Sequence, residues 1–196
     1  MMARCIELSR IAAREGELPF ACVICRDGKV VVEATNQVSR DGDVTRHAEL
    51  VAISTAQRIL GRGRLGGCTL YSNVEPCVMC SLPMRESRIS RVVFSIKSPL
   101  MGGFSRWNVL DDKNLSSVMM GYVPKPPEIV PGILMQEAEA VWHEWNPLIW
   151  GVIRKRGVFG GRFHRSGDDT CGDGDAQSVE GPSWGATTSG GGHDSQ

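Results

Sequence analysis

The chemistry this chain can do rests on four residues in two short words. Thr45-Arg46-His47-Ala48-Glu49 contains an H-x-E, and Pro76-Cys77-Val78-Met79-Cys80 a P-C-x-x-C. One imidazole and two thiols make a zinc ligand set, and Glu49 is a carboxylate left over. A structural zinc closes its shell with four protein ligands, whereas a catalytic zinc keeps a position for water. Three ligands beside a spare acid therefore point to catalysis. Water at such a position has a pKa near about 7, so a nucleophile is at hand at neutral pH. Glu49 is the group placed to move its proton.

Local structure must bring these residues together. Cys77 and Cys80 are three apart, so in the first turn of a helix they share one face. The helix dipole there favours thiolate, and Pro76 suits a helix start, which has no use for its missing N–H. His47 and Glu49 are two apart and would not face each other on a regular helix. The spacing works only if His47 sits in an irregular first turn. A non-catalytic zinc module is the competing reading. It needs a fourth ligand, Cys68 or His143, and would ignore loss of Glu49. Cys22-x-x-Cys25 lies in an apolar run that reads as a strand, where residues three apart point to opposite faces, so these are core thiols.

The elements follow from periodicity and punctuation. Residues 3–15 read as a helix, ended by Gly16 and Pro19. Phe20 to Cys25 reads as a buried strand, turned at Asp27-Gly28 into a partner strand from Lys29 to Ala34. A polar loop covers 36–42. A helix then starts near Thr45 as N-cap and runs to about Leu60. Residues 68–72 form a third strand, 77–86 a third helix and 91–95 a fourth strand. Strands alternating with helices imply a sheet covered on its faces, an α/β sandwich. Residues 101–131 show no clear period and read as an insertion or lid, from which Trp107, Asp111 and Asp112 could reach a pocket, although solvated loop acids are common. Residues 137–156 read as two helical pieces or one helix kinked at Pro147.

In this order and on these elements, residues 3 to about 96 resemble the cytidine/deoxycytidylate deaminase superfamily. The matching branch holds guanine deaminases, fungal-type cytosine deaminases and tRNA wobble-adenosine deaminases. H-x-E followed by P-C-x-x-C is the signature of zinc deaminases acting on nucleobases. Gly16-Glu17-Leu18-Pro19-Phe20-Ala21, Asp27-Gly28, Asn36, Leu70-Tyr71, Glu75-Pro76 and Ser87-Arg88-Ile89 with Arg91-Val92-Val93-Phe94 also match. The resemblance implies a three-layer α/β/α sandwich with a mixed five-stranded sheet, Zn2+ held by His47, Cys77 and Cys80, and Glu49 as proton carrier. It further implies that Asn36 helps hold substrate, that Phe20 and Ala21 line the pocket, and that the enzyme is a homodimer. Val44 and Arg46 depart from the Pro and Ala common in the branch, and a cation at 46 could hold an anionic group. Pro83 predicts a kink just beyond Cys80. Residues 100–156 match no pattern of the branch.

Composition narrows the rest. The 196 residues fit one domain with an extra tail, a deaminase domain over 1–156 followed by a Gly/Ser/Asp-rich disordered tail over 157–196. Lys plus Arg and Asp plus Glu both number 22, so there is no basic surplus of the kind a phosphate-backbone binder carries. No apolar stretch reaches membrane-spanning length, and Met1 to Glu15 has the features of neither a secretory signal nor a transit peptide. Seven irregularly spaced cysteines do not form a disulfide framework, which places the protein in a reducing cytoplasm. The expected activity is hydrolytic removal of the exocyclic amine from a free purine or pyrimidine base, a nucleoside or a similar amino-heterocycle. The alternative is adenosine-to-inosine editing of tRNA. Neutral charge and the Pro-Phe-Ala strand favour the first.

Overall fold

A hairpin starts the sheet. At Asp27 and Gly28 φ is 51° and 73°, the pair of positive values a tight two-residue hairpin turn requires. Strand β1 (Ala21–Arg26) therefore returns directly as β2 (Lys29–Thr35), with Arg26 opposite Lys29. A computed structural model describes residues 1–119 and 121–161. In it β3 (Cys68–Val74), β4 (Arg91–Ile96) and β5 (Glu128–Val130) complete five strands in the order β2-β1-β3-β4-β5. β1 is antiparallel to both neighbours, while β3, β4 and β5 run parallel. The sheet is mixed and five-stranded, as the resemblance implies.

Side chains alternate across it, so each face takes its own helices. Cys22 and Ile24 point with Leu70, Val92 and Phe94 toward α3 (Ala48–Ile59) and α4 (Val78–Glu86). Ala21, Val23 and Cys25 point with Val93 and Ile96 toward α1 (Met2–Arg14) and α6 (Met135–Trp145). Three layers result. Cys22 and Cys25 fall on opposite faces, as the strand period demands.

Several local expectations shift. The loop after β2 contains a single helical turn, α2 (Val38–Asp41). The N-cap of α3 is His47 rather than Thr45, whose hydroxyl instead donates to Asp43. α4 includes Pro83 and extends to Glu86. Pro83 has no N–H to give to the carbonyl of Met79, four residues back.

The stretch without period holds α5 (Lys113–Val118), capped by Asp112, and the three-residue β5. The buried Arg85 guanidinium pins this region by donating to the carbonyls of Val109, Asp112 and Pro124 and to the Ser116 hydroxyl. Beyond it, α6 ends at Trp145 and α7 (Pro147–Lys155) begins with Pro147 as its first residue and Asn146 as its cap. Of the two readings of this stretch, two helical pieces is the one observed. Residues 157–161, expected at the start of the tail, lie against the domain. Phe159 is buried beside Phe20 and Trp142, and Gly160 N–H donates to the Lys97 carbonyl at 2.8 Å. The remainder of the expected tail, 162–196, lies outside the described residues.

Candidate zinc centre and active site

His47 and Cys77 share a structural role. Each is the N-cap of its helix, in extended backbone (φ −63°, ψ 145° and φ −68°, ψ 170°), and neither side chain caps the helix it opens. Both are therefore free to face a common point. Because His47 stands outside the helix proper, the helical spacing rule does not separate it from Glu49. Cys80 comes from the first turn of α4 and completes the group.

The distances test whether a zinc ion fits. His47 Nδ1 lies 3.6 Å from Cys77 Sγ and 3.5 Å from Cys80 Sγ, and the two sulfurs are 3.6 Å apart. Tetrahedral zinc with ordinary bond lengths spaces two sulfurs by about 3.8 Å and sulfur from nitrogen by about 3.5 Å. The donor triangle fits. Among the described residues these three form the ligand group. Cys68 is buried in the core and His143 is exposed on α6, so neither supplies the fourth ligand of a structural site.

Glu49 is 6% exposed, and its Oε2 accepts from Cys80 Sγ at 3.6 Å. Its Oε1 accepts from the Ser72 hydroxyl at 3.1 Å, which holds the carboxylate from the strand side. Burial, and then the Cys77 charge, push the Glu49 carboxyl above its ordinary range. An acid so raised holds and releases a proton closer to neutrality, which suits a proton carrier. The Cys77 thiol is pushed down to about 4, first by the hydrogen bond from Cys80 and, against burial, by His47. Cys80, the donor in that bond and buried, is pushed up. His47 is raised by its bond to Cys77, which outweighs burial. Metal binding must displace the protons these groups share.

The group opens onto a cavity of about 380 Å³, within the range for small-molecule sites. Asn36 and Phe20 line it. Ala21 does not. It is fully buried in the core cluster on the α1 side, and its N–H donates to Asn73 Oδ1. Of the three lid candidates, Trp107 lines the cavity, Asp112 caps α5, and Asp111 borders a separate surface depression. Arg46 is turned to Asp41 at 2.9 Å and Gln37 at 2.7 Å.

Glu17 and Glu75 belong to the site as well, although the words containing them suggested no role. Glu17 accepts from Asn36 Nδ2 at 2.9 Å and from the backbone N–H groups of Ser39 and Arg40. Glu75 accepts from the 98–105 loop. Their positions beside Pro19-Phe20 and Pro76-Cys77 were the available signal.

Residues 1–96 match the family model of the cytidine and deoxycytidylate deaminase zinc-binding region. The tRNA-specific adenosine deaminase of Aquifex aeolicus (strain VF5) is 41% identical over 106 residues, covering 54% of this chain and 70% of that protein. The chain belongs to this deaminase family. The deaminase also matches the tRNA(Ile)-lysidine synthase of Deinococcus deserti, 32% identical over 141 residues, 71% of this chain but only 25% of that one. A structure from work on A-to-I editing by tRNA:A34 deaminases aligns with TM-score 0.61 and 27% identity, covering 71% of this deaminase and 96% of that chain. The guanine deaminase of Nitrosomonas europaea shares the fold, with TM-score 0.60 and 23% identity over 74% of this chain and 82% of that one. Family and ligand group agree on zinc as the metal. No helix among the described residues is long and apolar enough to cross a membrane.

Proposed function

We propose that this deaminase hydrolyses the exocyclic amine of adenosine in an RNA, with tRNA as the leading substrate. The observation that carries the hydrolytic chemistry is the three-ligand group with Glu49 beside it at the head of the cavity. Zinc held by His47, Cys77 and Cys80 would supply Lewis acidity at neutral pH. Glu49 takes one proton of the attacking water and passes it to a ring nitrogen of the base. It then carries the second proton from the hydroxyl now on the amine-bearing carbon to the amine, which leaves as ammonia as the C–N bond breaks and the C=O forms. Ser72 keeps the carboxylate aimed during these transfers. Asn36, held by Glu17, offers its amide to the base edge.

The RNA substrate draws its support from the relatives named for tRNA editing and from the exposed Trp107 at the mouth of the cavity. Trp107 carries the Arg106 guanidinium 5.7 Å from its ring centre. An aromatic face beside a cation is a common platform for an unstacked base. A free base or nucleoside is the second reading, favoured by the net charge of +0 over the whole chain. Incubation with tRNA, followed by inosine quantification, and ammonia release from guanine, cytosine, adenosine and cytidine separate the two. Inosine in tRNA without turnover of the small compounds is the expected result. The reverse pattern replaces the first reading with the second.

The free cysteines among the described residues suit a reducing compartment, and we place the protein in the cytoplasm. Val78, Met79 and Leu82 are more than a third exposed along α4, a face suited to the expected homodimer.

A further inference from the structure

Glu75 joins β3 to the metal helix and is 3% exposed. Four donors converge on its two oxygens. Oε2 accepts from Ser98 N–H at 2.8 Å and Ser105 Oγ at 2.7 Å, and Oε1 from the N–H groups of Phe104 at 3.0 Å and Ser105 at 2.7 Å. Every donor belongs to one loop, residues 98–105. A carboxylate oxygen offers about two acceptor sites, so the four donors occupy those of Glu75.

The same loop is tied to the metal helix from its other side. Val78 N–H donates to the Met101 carbonyl at 3.1 Å, and Gly103 N–H to the Pro76 carbonyl at 2.8 Å. The approach is so close that a Cβ at Gly102 would overlap Glu75 Oε1 and the Ser98 carbonyl. A Cβ at Gly103 would overlap Ser81 Oγ. Leu100 and Met101 from this loop, and Trp107 just after it, line the cavity that holds His47 and Glu49.

We propose that Glu75 is a positioning residue for substrate selection. Its carboxylate holds the 98–105 loop against the metal helix, so that Leu100, Met101 and Trp107 stand as the outer wall of the substrate pocket. The role rests on reading that cavity as the deaminase's substrate site. It acts on binding and leaves the proton transfers of Glu49 untouched. Glutamine at this position cannot replace it, because its NH2 would face groups that are themselves donors.

The test uses the full chain with zinc bound, comparing the unsubstituted protein with Glu75→Gln and Gly102→Ala. Hydrogen exchange and steady-state kinetics on tRNA and the small-base panel are measured on the same preparations. Zinc content should stay unchanged and β3 and β4 should stay protected, while the amides of Ser98, Phe104 and Ser105 lose protection. KM should rise about tenfold or more, with kcat per bound zinc within about threefold. The two variants disturb one contact, so their double variant should be no worse than the more impaired single one. Unchanged loop exchange, an unchanged KM, or a fall in kcat at constant KM in both variants would overturn the role. No turnover of any substrate by the unsubstituted protein would instead overturn the deaminase reading, and this role with it.

Discussion

Asn36 donates its side-chain amide to the Glu17 carboxylate at 2.9 Å, and both residues are buried at the edge of the cavity. The carboxylate also accepts from Arg40 N–H at 2.7 Å and Ser39 N–H at 3.2 Å. A carboxylate surrounded by donors can only accept, so the NH2 of Asn36 must face Glu17. This fixes which way round the amide sits in the pocket. The finding ties a residue implied to hold substrate to one that carried no assigned role.

Glu17→Ala should leave the buried Asn36 amide and the part-buried N–H groups of Ser39 and Arg40 without their partner. The expected loss is about 1–3 kcal/mol of stability, with a raised KM as Asn36 loses its orientation. Urea denaturation and steady-state kinetics measure the two effects. Stability equal to that of the unsubstituted protein would show that the contacts contribute nothing.

The same carboxylate makes stability depend on acid. Burial acts against the charge of Glu17, but the hydrogen bonds from Arg40, Ser39 and Asn36 outweigh it and lower its pKa below the usual carboxylate value. A group lowered on folding contributes stability above its unfolded pKa of about 4.3 and loses it as pH falls through the folded value. The unsubstituted protein should therefore destabilise more steeply than Glu17→Gln as pH falls below about 4.5. Denaturation midpoints between about pH 6 and 3 check this. Parallel curves would assign the acid sensitivity to other groups.

His47→Ala and Cys80→Ala each remove one corner of the ligand triangle. Both should purify with little or no zinc and with no activity, as read by metal analysis. Because the ligands must shed protons to bind, the unsubstituted protein should also release zinc as pH falls. Full zinc occupancy in either variant would mean the ion is held elsewhere.

Phe159 contacts Phe20 and Trp142 with ring centres 5.9 and 5.1 Å away. Phe159→Ala should leave a hole in that aromatic cluster and cost about 3–5 kcal/mol, as is usual for a buried phenylalanine. Thermal denaturation measures it. An unchanged midpoint would remove residues 157–161 from the folded domain.

How much of this was legible in the sequence depended on range. His47, Glu49, Cys77 and Cys80 could be read because each pair is local and its helix start is marked by turn and proline signals. The hairpin at Asp27-Gly28 could be read for the same reason. β5 could not, since three residues between Pro127 and Pro131 carry no period and become a strand only by pairing with β4. Phe159 was hidden in a glycine-rich composition, and its burial depends on Phe20 and Trp142, distant in the chain. Glu17 and Glu75 act mostly on backbone N–H groups, which leave no trace in side-chain type, so only their places beside Pro19-Phe20 and Pro76-Cys77 mark them. Thr45 looked like an N-cap by residue type alone, but Asp43 engages its hydroxyl and the cap falls to His47.

The most direct measurement compares Glu49→Gln with the unsubstituted protein, scoring bound zinc and product formed per zinc on the substrate that the panel identifies. Glu49 lies outside the ligand group, so zinc should remain near one per chain while turnover falls by about 10²-fold or more, as loss of a general acid–base does. Turnover per zinc that survives the substitution would contradict a mechanism in which Glu49 carries the protons.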